Sequence, residues 1–103
     1  MGDAEVKMDA ELRRQLESDP PRVQAVLTLE HGAVPRSSAD TRRVVEELLR
    51  RVEREVGSSP AASNVFANLG RFAVEASPSF VRKLVEQDEI ARAQANVYPE
   101  EDR

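Results

Sequence analysis

A chain of 103 residues, 40% apolar and 33% charged, is the size of one domain and can bury roughly 60 to 70% of its unfolded surface in a single core. Its 19 acids against 15 bases leave a formal charge of -4, which repels phosphate backbones and anionic bilayers and argues against nucleic acid and membrane partners. The absence of cysteine excludes a disulfide framework and a thiolate metal site, and no stretch approaches the ~18 apolar residues of a spanning helix, so the expected location is cytoplasmic.

Residues 1–21 read as an N-terminal appendage, a short helix or a solvated leader. Met8, Leu12 and Leu16 recur every four positions, Asp9 is a candidate cap, and Ser18-Asp19-Pro20-Pro21 stops the pattern. The domain proper is expected over residues 22–98, with a polar tail over 99–103. From Arg22 to Glu30, Val23, Ala25, Leu27 and Leu29 alternate with Gln24, Val26, Thr28 and Glu30, a strand with one apolar and one mixed face. His31 to Ser37 breaks the alternation. Ser38 or Asp40 then caps a long helix to about Val56, with Val44, Val45, Leu48, Leu49, Val52 and Val56 as its buried stripe. On its wet side Glu46-Arg50, Glu47-Arg51 and Arg51-Glu55 stand at i,i+4 spacing, and Gly57 is the expected stop.

A small-residue connector over 58–62 leads to a second strand from Ser63 to Asn68, in which Asn64, Phe66 and Asn68 oppose Val65, Ala67 and Leu69. A turn over Asn68-Leu69-Gly70-Arg71 returns the chain into a third strand, Phe72 to Ala76. Ser77 as cap and Pro78 at the first helical position open a second helix with Phe80, Val81, Leu84 and Val85 inward, ending near Asp88. Finally Ala91, Ala93, Ala95 and Val97 alternate with Arg92, Gln94 and Asn96 in a fourth strand.

The order strand, helix, strand, strand, helix, strand predicts an α+β fold, the ferredoxin-like βαββαβ sandwich, with a four-stranded antiparallel sheet and two helices on one face. The other face stays uncovered. On it Val26, Phe66 and Ala73 form an apolar centre inside a rim that includes Thr28, Glu30 and Glu75, the composition of a protein contact site.

Chemistry has little to work with. The single His31 has no second histidine and no cysteine beside it, so nucleophilic triads and histidine zinc sites lack parts. Acids are paired with arginines at helical spacing, the pattern of a solvated face. Arg22-Val23-Gln24-Ala25-Val26 resembles the phosphate loop of acylphosphatases, but Ala25 and Leu29 stand where that family has a glycine and an arginine, so the cradle lacks its backbone freedom and its charge. The expectation is a non-enzyme without cofactor or metal.

The run from Asn68 through Gly70-Arg71-Phe72-Ala73-Val74-Glu75-Ala76-Ser77-Pro78 to Leu84, followed by Ile90-Ala91-Arg92-Ala93, resembles the second half of subtilisin propeptides and the stand-alone inhibitors of subtilisin-like proteases. The likeness covers about residues 64–97. It implies a protein-binding, propeptide-like inhibitor or folding helper acting in trans, whose open sheet face docks on two protease helices through Val26, Phe66 and Ala73. Glu30 or Glu75 would meet the helix N-termini, and the chain from Val97 onward would enter the cleft. Such tails usually carry small or hydrophobic residues, whereas Pro99-Glu100-Glu101-Asp102 is rigid and acidic. A seat for Ala95-Asn96-Val97-Tyr98, with Pro99 resisting cleavage, suits a cleft better. The alternative is a homodimerising or regulatory assembly domain that uses the same face.

Overall fold

The computed structural model describes residues 6–30 and 37–96. Leu12 and Leu16 share one side of α1 (Ala10–Glu17) because four-residue spacing returns to the same helix face, and both are buried, as is Met8 just before the helix. Asp9 caps α1, its carboxylate accepting the Leu12 N–H at 2.9 Å. The alternation that follows forms β1 (Val23–Leu29), with Val23, Ala25, Leu27 and Leu29 buried.

In α2 (Ser38–Val56) the cap is Ser37, whose hydroxyl accepts the Asp40 N–H at 3.1 Å; Ser38 and Asp40, the expected caps, already lie inside the first turn. Thr41 is buried there, donating its hydroxyl to the Ser37 carbonyl at 3.1 Å. Gly57 closes α2 with φ of 84°, a left-handed conformation that a side chain would strain.

The second strand is shorter than its alternation implied. β2 (Ala62–Phe66) gives way to a tight 3-10 turn over Ala67–Leu69, closed by Gly70 at φ of 64°. Ala67 and Asn68, expected to continue the strand, therefore leave the sheet, and Leu69 of the turn is 64% exposed. β3 (Arg71–Ala76) buries Phe72, Val74 and Ala76. Ser77 caps α3 (Pro78–Val85) with Pro78 at its start, and Phe80, Val81, Leu84 and Val85 are buried. β4 (Ile90–Ala95) contains a bulge: Leu29 pairs with Ile90 and Thr28 with Arg92, which leaves Ala91 as the extra residue. The bulge turns Ile90 inward as well as Ala93, so the inner face of β4 is not the pure alanine row that strict alternation predicts.

The sheet order is β2-β3-β1-β4 with every neighbouring pair antiparallel, the ferredoxin-like arrangement expected from the element order. One core lies between the sheet and the helices, and Phe72 and Phe80 are its largest members. The difference lies in the helical layer, where α1 joins α2 and α3. Leu12 and Leu16 are 0% and 1% exposed in the same apolar cluster as the sheet residues. Each contributes about 2 kcal/mol of apolar burial, which is why an eight-residue helix too short to persist alone is held in place.

Tertiary bonds hold the N-terminal segment along β4. Met8 bridges Ala93 in parallel, the Asp9 N–H donates to the Ala93 carbonyl at 3.1 Å, and the Ala95 N–H donates to the Asp9 carboxylate at 3.4 Å. Lys7 donates to the carbonyls of Val85 and Gln87 at the end of α3, and Arg82 to that of Leu16 at the end of α1, where cations complement the helix dipole. Arg51 likewise leaves its own helix. Instead of hydrogen bonding to Glu47 or Glu55 it grips Glu89 through two bonds of 3.1 and 3.2 Å and donates to Gln87 at 3.0 Å. Glu55 pairs with Lys83 of α3 at 3.2 Å.

Candidate docking face

Side chains of odd-numbered β1 residues enter the core, so those of Gln24, Val26 and Thr28 emerge on the other side of the sheet, where no described helix lies. Strand registers assemble them into three rungs. The first is Ala62, Glu75, Gln24 and Asn96; the second is Asn64, Ala73, Val26 and Gln94; the third is Phe66, Arg71, Thr28 and Arg92.

The predicted apolar centre divides between two rungs. Val26 and Ala73 are direct cross-strand partners and half-buried. Phe66 is one rung further on and two strands away from Val26, about 10 Å across and about 7 Å along, and is 38% exposed. Sequence spacing puts all three on one face but cannot supply the sheet order, which is why they read as a single patch. Phe66 instead joins Val65, Leu69 and Arg42 around a shallow groove of about 370 Å³ at the hairpin end. Leu69 reaches this groove from the 3-10 turn, whose geometry the alternation of the strand does not reveal.

The middle of the face is shallow and neutral. Small side chains at Ala62 and Ala73, between Gln24, Asn64 and Glu75, leave a depression of about 150 Å³ that Asn96 also lines. Charges sit at the ends. Glu75 in the first rung pairs with Arg22 at 3.6 Å, so it is engaged with its own chain. Arg71 and Arg92 flank the half-buried Thr28 in the third rung. Glu30 lies beyond that rung, exposed, its N–H donating to the Glu89 carbonyl at 2.7 Å. Glu30 and Glu75 thus stand at opposite ends, about 20 Å apart along the strand direction, and cannot serve one polar site. Val97 and Tyr98, expected at the start of the cleft-bound tail, lie outside the described residues.

The positions that resemble the acylphosphatase loop are strand positions here, and Ala25 and Leu29 are buried on the helix side. Among the described residues no group of three His, Cys, Asp or Glu side chains could hold a metal ion, and no helix is long and apolar enough to cross a membrane. The Arg51–Glu89 pair lies off the face. The Arg51 hydrogen bonds hold the Glu89 carboxyl below its ordinary range, and Glu89 in turn raises Arg51. Bridging a helix to the chain that enters β4, this pair reads as structural. No protein-family model, no curated protein and no solved structure matches the chain.

Proposed function

We propose that this chain is a non-catalytic protein-binding domain that docks a partner protein on its uncovered sheet face, with a subtilisin-like protease, bound in trans, as the partner class. The observation that carries the reading is the bare second rung. Val26 and Ala73 offer a small apolar centre, Asn64 and Gln94 flank it, and no described element covers it. The likeness of the hairpin, Ser77-Pro78 helix and final strand to propeptides supports the protease as partner, and the absence of cysteine suits a cytoplasmic setting.

Glu30 and Glu75 act separately in this scheme, each toward a different region of the partner, because they stand at opposite ends of the face. The test is residual activity of a panel of subtilisin-like enzymes titrated with the chain. At least one enzyme loses activity at micromolar protein, and Val26→Asp restores it by placing a carboxylate in the apolar centre. A panel left fully active rejects the protease as partner.

A further inference from the structure

The phase of the main-chain bonds determines which backbone groups point out of the sheet. Asn96 donates its N–H to the Gln24 carbonyl, so in an antiparallel ladder Gln24, Val26 and Thr28 turn their main chain toward β4 and Val23, Ala25 and Leu27 turn theirs toward β3. The Leu29 N–H to Gly70 carbonyl bond has the same phase. Carrying the alternation through the registers, Arg71, Ala73 and Glu75 face β2, and Ala62, Asn64 and Phe66 face β3. Ser63 and Val65 are left with their N–H and C=O groups directed outward along the free edge.

That edge carries none of the usual protections. Ala62–Phe66 contains no charge and no proline, and its register with β3 runs unbroken from Ala62 to Phe66. Ala62, Ser63, Asn64 and Phe66 are exposed, and among the described residues nothing covers the strand.

We propose that β2 is a self-pairing edge through which a second copy of this chain joins, antiparallel about a two-fold axis at Asn64, to continue the sheet. Among two-fold registers only this one brings both outward residues of one copy against both of the other. Ser63 meets Val65 of the second copy and Val65 meets its Ser63, giving four main-chain hydrogen bonds. Asn64 then faces its own counterpart across a close pair, and Ala62 receives Phe66 of the second copy at the same close spacing, which covers an exposed aromatic with an apolar neighbour. Charge runs the same way. The joined rung reads Glu75, Ala62, then Phe66 and Arg71 of the second copy, so the acidic end of one face continues into the basic end of the other. This pairing leaves the bare sheet face free and does not depend on what docks there.

Sedimentation equilibrium of the full chain tests it, over two decades of concentration centred on about 50 µM, the weak regime expected of so short an interface. The wild type is expected to show a reversible monomer–dimer equilibrium. Ser63→Pro removes an outward N–H that the internal ladder does not use, and raises the dissociation constant at least roughly tenfold with the circular dichroism spectrum unchanged. Asn64→Asp, an exposed substitution safe for folding, opposes two carboxylates at the axis and weakens the dimer at pH 7 in the same direction. A wild type that stays monomeric throughout overturns the proposal. So does a dimer that both variants leave intact, or one lost on Val26→Asp alone, which would put the interface on the sheet face.

Discussion

The two edges of the sheet meet opposite fates. At β4, the Asp9 N–H occupies the outward Ala93 carbonyl and the Asp9 carboxylate takes the outward Ala95 N–H, while the same carboxylate caps α1. One residue therefore closes an edge and starts a helix, and the helix locks the arrangement by burying Leu12 and Leu16. At β2 nothing comparable is present among the described residues, and the strand is the most exposed of the four. Edge strands are dangerous in proportion to their free backbone groups. This chain closes one with its own N-terminal segment and leaves the other available.

The largest test of that contrast is Leu12→Ala. If α1 is part of the core, the substitution lowers unfolding free energy by about 2–4 kcal/mol in urea titration; a loss below about 0.5 kcal/mol would make the N-terminal segment an appendage after all. Next is Asp9→Ala, which removes the cap and the bond to Ala95 and is expected to cost about 1–2 kcal/mol. Hydrogen exchange should locate the damage, with Ala95 losing protection while the β1–β3 amides keep theirs. Equal loss across the sheet would mean that Asp9 acts on the whole fold and not on the edge.

Glu89→Gln probes the approach to β4, because Arg51 of α2 holds Glu89 just before that strand. The pair is partly solvent-exposed, so screening limits the expected loss to about 0.5–1 kcal/mol at neutral pH. The folded pKa of Glu89 is lowered, chiefly by the Arg51 hydrogen bond, from an ordinary 4.5. Its contribution is therefore complete above that value and disappears as pH falls through the depressed folded pKa. Wild type and variant should converge in acid melts; a gap that widens there would contradict the assignment. The smallest effect belongs to the open edge, where Ser63→Pro is expected to change the stability of the monomer by less than about 0.5 kcal/mol, measured at concentrations below dimerisation. A larger loss would show that β2 uses that N–H internally.

Much of the fold was legible because local periods coincide with burial. Alternation in 22–30 and 71–76 marks the inner faces of two central strands, and Ser77-Pro78 names both the cap and the first residue of a helix. Legibility failed where tertiary geometry departs from period two. A 3-10 turn takes Ala67 and Asn68 out of β2, and a bulge at Ala91 brings Ile90 inward. The candidate face was half legible for the same reason. Alternation tells which side of a strand a residue takes, but not which strand lies beside it, so Val26, Ala73 and Phe66 were grouped although Phe66 sits on the edge.

The sequence by itself determined the elements, their order and the division of each strand into a buried and an exposed side, since these follow from side-chain polarity at short range. Only the tertiary structure decided that the N-terminal helix belongs to the core, that Arg51 spends its charge on Glu89, and that one sheet edge is closed while the other is open. Each of those depends on partners far apart in the chain, brought together by burial of Leu12, Leu16 and the sheet residues in one core.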